Sequence, residues 1–261
     1  MLKSRSSCKT LLCKLKPWAL LAVLVVLWYV VTAKRLWSPY LLPSPLRVAR
    51  TFLELAKNGQ LLDNTLASLW RMIIGFFVSV ALAIPLGFVF AVSPVIYAYS
   101  KGILELLRNT PPLAFIPFLI LWCGIGELSK IILIVLVAFF PILINTIEGV
   151  SGVDQKLVET GRVFGFSRGR IFREIVLPSA FPNIVTGMRI GMGYSWRAII
   201  GAEMIASSTG LGYMILNGQQ LSQTDTMLCG IIVIALLGML GEVLLSRLTK
   251  PFLAWRKNVE L

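Results

Sequence analysis

Residues 72–100 read MIIGFFVSVALAIPLGFVFAVSPVIYAYS, a stretch that contains no charged side chain. A helix that crosses the roughly 30 Å hydrocarbon layer of a membrane needs about 20 mainly apolar residues, and this stretch exceeds that length. Further uncharged windows recur along the chain, at 17–33, 109–126, 131–147, 204–224 and 226–241. The pattern predicts an all-α fold, a polytopic transmembrane helical bundle.

The composition of the whole chain agrees with this prediction. Of 261 residues, 57% are hydrophobic and 14% are charged, whereas an average soluble domain carries about 25% charged residues. The net charge of +13 does not indicate nucleic-acid binding, because the charges are clustered between long uncharged runs. A soluble globular protein, a secreted disulfide scaffold and a disordered chain are therefore excluded.

The residue types that are missing exclude most catalytic chemistry. The chain contains no histidine, so a His-ligated metal site and a Ser-His-Asp triad are impossible. Cys8 and Cys13 lie in a basic tail without further ligands, and Cys123 and Cys229 lie inside apolar runs, where buried cysteine acts as a small hydrophobe. No glycine precedes a lysine, so the phosphate-binding loop of ATPases is absent. We expect no enzyme activity, cofactor or metal in this chain, and ATP would be bound by another chain.

Six spans are predicted, at 17–33 and at about 70–93, 104–123, 130–149, 182–205 and 226–246. Pro85, Pro117 and Pro141 fall within the second, third and fourth spans, where we expect local bends rather than breaks. The first stretch follows the basic tail 1–16. It can be interpreted as a secretory signal or as a retained first span, and the polytopic remainder favours the retained span.

The basic residues predict the orientation of the spans. Six spans place both termini on one side, and 16 of the 25 Lys and Arg residues fall on that side. Basic residues are enriched on the cytoplasmic side, so both termini are predicted to be cytoplasmic, including the tail 247–261. Residues 34–69 are then extracytoplasmic, and apolar positions among charges over Leu46–Lys57 predict an amphipathic surface helix there. The core of the protein is predicted to be 70–246.

The connection between spans four and five, residues 152–180, is too long and too charged for a simple connector. Asp154 is expected to cap a short helix over 155–164, which Gly165 ends. Ser167 is expected to cap a second helix that Leu177-Pro178 ends before span five. The first helix has an apolar side and no protein core to cover it. It is either a docking surface for a partner or a helix that lies on the membrane interface.

The spacing within this connection resembles that of a known family. The positions concerned are Glu159, Thr160, Gly161, Gly165, Ile175, Leu177 and Pro178. They are similar to the cytoplasmic "EAA" loop of binding-protein-dependent ABC transporter permeases, which reads Glu-Ala-Ala, three residues, Gly, nine residues, Ile-x-Leu-Pro. Thr160 and Gly161 replace the two alanines of that pattern, and both are small enough to preserve close approach to a partner.

Other stretches resemble the sulfonate/nitrate/taurine branch of these permeases. They are Leu42-Pro43-Ser44-Pro45, Ser68-Leu69-Trp70-Arg71, Gly75-Phe76, Asn109-Thr110-Pro111-Pro112, Gly187-Met188-Arg189-Ile190, Ala202-Glu203-Met204 and Gly210-Leu211-Gly212-Tyr213. The resemblance implies a type I importer (MetI-like) permease fold in a bacterial plasma membrane. It also implies a second permease copy, two cytoplasmic ATPase subunits that bind ATP and Mg and dock on 152–180, and an extracytoplasmic solute-binding protein.

Span five contains three charged residues, Arg189, Arg197 and Glu203. Charges within hydrocarbon usually face a bundle interior or a cavity. The two arginines lie about 80° apart around a helix, so they either line an electropositive pathway for an anion or pair with neighbouring helices. Gly187 and Gly191 form a small-xxx-small pair that allows close helix packing, which is weak support for a dimer contact.

The predicted function is import of a small solute, with a sulfonate, taurine or nitrate-like anion favoured by the resemblance. A permease of the same family for a non-anionic molecule, such as a vitamin precursor, is the alternative. From another class, an ion-coupled carrier or channel subunit would need ionisable groups deep in several spans and an inverted repeat. Such groups occur mainly in span five, and the sequence contains no evident repeat.

Overall fold

The computed structural model describes residues 19–20 and 22–253, and the regular structure within them is helical. The basic tail 1–16, the first residues of the predicted first span and residues 254–261 lie outside the described residues. The α-helices are α1 (Ala22–Ala33), α2 (Pro45–Lys57), α3 (Gln60–Val92), α4 (Pro94–Asn109), α5 (Ile116–Cys123), α6 (Glu127–Ser151), α7 (Gln155–Val163), α8 (Arg168–Ile171), α9 (Leu177–Ala206), α10 (Leu211–Gln220) and α11 (Thr224–Thr249).

Three of these helices, α3, α6 and α11, are each long and apolar enough to cross a membrane. Two more candidate spans are pairs of helices that bend at a short break. One pair is α4 with residues Pro112–Cys123, bent by 91°, and the other is Arg168–Ala206 with α10, bent by 49°. The shorter apolar helix α1 lies within the first predicted span. The prediction of a polytopic all-α bundle is confirmed.

The prediction of one continuous span over 104–123 is wrong. α4 ends at Asn109, and the chain turns sharply before α5. Pro111 and Pro112 have no backbone N–H to continue the helix, and the residue before a proline is driven out of the helical region. Thr110 accordingly has extended backbone angles, φ −76° and ψ 126°. Pro117 lies in the first turn of α5, where its missing N–H would have no helical partner, so it causes no break.

The predicted end of the second loop helix at Leu177-Pro178 is also wrong. α8 begins at the Ser167 cap as predicted, but it continues through a wide turn over Phe172–Val176 into α9. In this π-type turn the Leu177 N–H bonds to the Phe172 carbonyl, five residues back. A proline ring clashes with the carbonyl four residues earlier in a regular helix, and the wider turn accommodates Pro178. Span five therefore begins at Leu177, earlier than the predicted 182.

The described residues form two compact units, one within 1–62 and 214–231 and the other within 63–213 and 232–261. In the first unit, the predicted amphipathic helix is confirmed as α2, with Val48 buried and Leu46 exposed. Arg47 Nε donates to Asp225 Oδ2 at 2.9 Å, so a charge-assisted hydrogen bond ties α2 to the first turn of α11.

The core of the second unit is formed by α3, α6, α9 and the later turns of α11. Its apolar side chains include Phe76, Ile142 and Ile199, each with 2% or less of its surface exposed. α9 approaches α6 closely at its two small residues. A Cβ atom on Gly187 would lie 2.8 Å from the Pro141 carbonyl oxygen, and one on Gly191 would lie 3.1 Å from that of Ala138. The small-xxx-small pair therefore packs against a helix of the same chain.

We predict that Gly187→Ala lowers the melting temperature of the purified protein in detergent. The added methyl group meets backbone atoms that cannot rotate away, and overpacking of this kind costs about 1–3 kcal/mol. Gly193→Ala is the matched control, because a Cβ there meets nothing within 4 Å. It should be neutral or slightly stabilising, since alanine favours a helix over glycine by about 0.5–1 kcal/mol. Equal melting temperatures for the two variants would contradict this account of the α6–α9 contact.

Candidate functional site

The predicted first loop helix is confirmed as α7. Asp154 caps it, and its Oδ1 accepts the Lys156 N–H at 2.9 Å. The helix ends before Gly165, which has φ +73°, a left-handed conformation that glycine adopts without strain. The Phe166 N–H returns to the Gly161 carbonyl at 2.9 Å, which satisfies a carbonyl left free at the helix end.

α7 rests on the base of α9 through the small residue in its middle. Gly161 is buried, and a Cβ atom there would lie 2.7 Å from Ile175 Cδ1 and 3.4 Å from Ile171 Cγ1. Two positions of the sequence pattern, Gly161 and Ile175, therefore meet within the chain. Leu177 and Pro178, half-buried, follow directly as the first turn of α9. α7 is consequently packed against the segment that leads into a long membrane helix.

α7 and the residue that follows it carry exposed side chains of mixed character, and we call this set the α7 surface. It comprises Leu157, Glu159, Val163 and Phe164, and Val163 and Phe164 are 86% and 74% exposed. The Glu159 carboxylate makes no hydrogen bond or ion pair within the described part of the chain. Thr160 is also exposed, and its hydroxyl donates to the Lys156 carbonyl at 2.7 Å.

A second cluster surrounds Arg71 of α3, which sequence reasoning named only as part of a stretch that resembles the permease family. Its guanidinium is buried and makes five hydrogen bonds. Two go to the Glu127 carboxylate at 2.5 and 2.8 Å, one to Glu203 at 2.7 Å, and two to Thr209 at 2.8 and 2.9 Å. Arg71 thereby connects α3 with the start of α6, the end of α9 and the turn before α10.

Glu203, a sequence-predicted pathway residue, is an integral part of this cluster. It is 1% exposed, and besides Arg71 it accepts hydrogen bonds from the Ser68 hydroxyl at 2.8 Å and the Gly212 N–H at 2.9 Å. Lys130, also buried, donates to Glu127 at 3.1 Å and balances the second carboxylate. The two cations and two carboxylates form a neutral, hydrogen-bonded group, which we call the Arg71 cluster.

The other two predicted pathway residues do not join this cluster. Arg189 donates from Nη2 to Ser246 Oγ of α11, while its Nε is buried without a hydrogen-bond partner. Arg197 is exposed, and its guanidinium carbon lies 5.7 Å from the centre of the Tyr194 ring. Arg197 also lines a cavity of about 580 Å³ together with Arg108. Sequence reasoning counted Arg108 only among the basic residues on the cytoplasmic side and gave it no other role.

Similarity to known proteins shows which family this chain belongs to. A family model described as "Binding-protein-dependent transport system inner membrane component" matches residues 83–251. The putative aliphatic sulfonates transport permease protein SsuC of Bacillus subtilis is 38% identical over 92% of this chain and 87% of the relative. The chain belongs to this family of binding-protein-dependent permeases. The predicted family resemblance is confirmed, and the protein is an integral membrane permease, the subunit of an ABC importer that has no ATPase site of its own.

Other relatives of this permease carry names of small anions. The taurine transport system permease protein TauC of Escherichia coli is 38% identical over 92% of this chain and 89% of the relative. The nitrate import permease protein NrtB of a Synechocystis strain is 32% identical over 87% of this chain and 84% of the relative.

A solved structure has the same fold. A chain of the inward-facing MetNI methionine ABC transporter superposes with a TM-score of 0.65 at 19% identity, covering 76% of this permease and 98% of that chain. The predicted MetI-like fold is confirmed. Within the described part of the permease, no group of three or more His, Cys, Asp or Glu residues is arranged to hold a metal ion.

We predict that Arg71→Leu strongly destabilises the permease, because it leaves the Glu203 carboxylate buried without a cation. Removal of one partner from a buried ion pair costs about 3–5 kcal/mol. The double variant Arg71→Leu with Glu203→Gln should recover part of this loss, since a neutral amide oxygen still accepts from Ser68 and Gly212. Melting temperatures in detergent measure both effects.

The control for this prediction is Arg170→Gln, which breaks an exposed pair with Glu174 at 3.0 Å. Exposed pairs contribute about 0–1 kcal/mol, so its melting temperature should stay near that of the wild type. A single variant at Arg71 that melts like this control would show that the Arg71 cluster does not stabilise the fold. Additive losses in the double variant would show that the two charges act independently.

Proposed function

We propose that this permease carries a small organic anion of the sulfonate type into the cytoplasm, driven by a separate ATPase that docks on the α7 surface. The observation that carries the coupling part of the proposal is the position of α7. It presents exposed apolar side chains outward, and its buried Gly161 packs on the segment that continues into α9. A push or pull on α7 would therefore reach a membrane-spanning helix without an intervening flexible linker.

The missing phosphate-binding loop makes such a contact necessary. Because the chain has no site for ATP, the free energy of hydrolysis has to enter through a contact with another protein. Exposed apolar side chains together with a carboxylate suit a docking surface, since burial of Val163 and Phe164 would favour binding and Glu159 could pair with a cation of the ATPase. The alternative is a helix held on the membrane interface by basic residues such as Lys156 and Arg162, and that arrangement leaves Glu159 without a partner.

The remaining partners follow from the same assembly. We place the α7 surface and both termini in the cytoplasm of a bacterium, with a second copy of this chain as the other half of the pathway. Two ATPase subunits would bind the two α7 surfaces, and a solute-binding protein would deliver cargo from the outside. Exposed apolar side chains on α3 and α11, such as Phe77, Leu82 and Leu244, suit contact with lipid tails.

The anionic substrate class is supported by the relatives, whose names refer to aliphatic sulfonates, taurine and nitrate. A neutral cargo such as a vitamin precursor is the second candidate. The decisive experiment reconstitutes the permease in liposomes with the ATPase and the solute-binding protein of its transport system. We expect ATP-driven uptake of taurine or an alkanesulfonate, and uptake of only an uncharged pyrimidine precursor would contradict the proposal.

We predict that Glu159→Lys leaves the permease inserted and folded but reduces ATP-driven uptake by about tenfold or more, as expected for loss of a charged contact worth about 1.5–3 kcal/mol. Glu54→Lys on α2 is the matched control, because it makes the same charge change at another exposed position. The measurements are uptake into the reconstituted liposomes and co-purification of the ATPase. Normal uptake by Glu159→Lys would contradict the assignment of the α7 surface.

Gly165 provides an independent test of the same contact. Gly165→Pro should also uncouple ATP hydrolysis from uptake, since proline cannot adopt the positive φ that this position requires. Gly165→Asn should retain most of the coupling, because asparagine tolerates the left-handed conformation better than other residues. Equal activity of the proline and asparagine variants would argue against a role for the turn behind α7.

A further inference from the structure

The cavity that contains Arg108 and Arg197, which we call the arginine cavity, has a volume of about 580 Å³. This volume lies in the range of about 300–1,000 Å³ that is typical of small-molecule sites. Its walls are the end of α4 and the break after it, the middle turns of α6 and the middle turns of α9. Because α6 and α9 are membrane-spanning helices, the cavity lies at membrane depth.

The two arginines are the charged residues among the side chains that line this cavity. Neither has a carboxylate within salt-bridge distance in the described part of the chain, where Glu105 pairs with Lys101 and Glu203 pairs with Arg71. An unpaired cation at membrane depth is costly and usually marks a functional site. The missing counter-charge is therefore expected from a ligand.

The backbone at the cavity supports the same interpretation. The helical structure is interrupted after α4, and Thr110 and Pro112 at this interruption line the cavity. Irregular backbone at membrane depth is tolerated where it faces protein or a water-filled space. The rest of the wall is mainly apolar and includes Leu113, Phe115, Phe140 and the Tyr194 ring. This combination of two cations and an apolar wall matches a ligand with a negative head group and a short hydrocarbon part.

We propose that the arginine cavity is a transit site for the imported anion, in which Arg108 and Arg197 contact the oxyanion head group and the apolar wall contacts its hydrocarbon part. The proposal rests on the proposed function as an importer of such anions. Arginine suits this role because its planar fork of N–H groups binds oxyanions with two hydrogen bonds. Both side chains are exposed to the cavity, which allows the anion to leave again.

The test uses the complete transporter, with ATPase and binding protein, in liposomes. Arg108→Gln and Arg197→Gln should each reduce uptake of taurine or an alkanesulfonate by about tenfold or more, the effect of losing one charge-assisted hydrogen bond. ATP hydrolysis stimulated by the loaded binding protein should stay near the wild-type rate. Lysine at either position should retain more uptake than glutamine. Arg50→Gln on the exposed face of α2 is the control for loss of one positive charge.

Occupancy of the cavity can be measured directly at Leu113, an exposed part of its wall. In a Leu113→Cys variant whose native cysteines are replaced by serine, the sulfonate should slow alkylation by a maleimide. Adding Arg197→Gln should weaken that protection. If the Arg197→Gln variant does not assemble, the Arg108→Gln variant provides the test. Arg108 is exposed at the end of α4, so its replacement should not disturb assembly.

The transit-site proposal would be overturned if both glutamine variants took up both anions at the wild-type rate. It would also be overturned if the sulfonate left the alkylation rate at Leu113→Cys unchanged. Loss of ATP hydrolysis in parallel with uptake would also overturn it, since that result indicates a structural role. Failure of the proposed function would give a different result, because the wild-type transporter itself would then take up neither anion.

Discussion

The fold depends on how a buried guanidinium is satisfied at the point where three helices and a turn meet. Arg71 uses five hydrogen bonds to two carboxylates and to the turn that follows α9. Because the guanidinium is buried, no solvent replaces a missing partner, so this group requires α3, α6, α9 and the 207–210 turn to be present together. The apolar surfaces of the same helices pack in many similar ways, whereas five directional bonds admit few arrangements. The Arg71 cluster therefore specifies which of these arrangements forms.

The same rule explains where the helices are irregular. At Ser207–Gly210 the freed backbone groups are recovered by side chains of α3, because Asn64 accepts the Gly210 N–H at 2.7 Å and Arg71 donates to the Thr209 carbonyl. At Phe172–Val176 the backbone hydrogen bonds are kept, but they follow the wider π-type pattern, in which an N–H bonds to the carbonyl five residues back. The break at Thr110–Pro112 differs, since prolines remove the donors and the break lies beside the arginine cavity. At these sites the irregular backbone is stabilised by side-chain hydrogen bonds or by a shifted pattern of backbone hydrogen bonds, or it faces a cavity.

Local features of this permease could be predicted from its sequence, and features that depend on distant partners could not. The Asp154 cap, the Gly165 stop and the start of α2 are set by neighbouring residues, and these predictions are confirmed. The charge of Glu203 indicated a buried position, but its partner Arg71 lies 132 residues away in sequence and looked like an ordinary charge at the edge of a span. Ser68 and Arg71, three residues apart and so on one side of a helix, were the available signal.

Pro85 and Pro141 lie inside the unbroken helices α3 and α6, as expected, but the predictions for Pro117 and Pro178 failed for a different reason. The number of prolines and their helical positions decide the outcome, and the sequence did not show that α5 begins at Ile116 or that α9 begins at Leu177. Pro117 was expected to bend a span, but it lies in a first turn and is harmless, whereas two successive prolines at 111 and 112 end α4. Pro178 was expected to end a helix, yet one widened turn was sufficient to accommodate it.

One helix, α9, links all of the sites. It begins at the segment on which α7 rests, passes Arg197 at the arginine cavity and ends at Glu203 in the Arg71 cluster. Its far end is held by buried charges, and its middle is held against α6 by Gly187 and Gly191. A force applied at α7 therefore cannot slide α9 along its own axis without breaking the Arg71 cluster. It can tilt α9 and α6 together about the clamped end, and a tilt of this kind changes the walls of the arginine cavity that lies between the two ends.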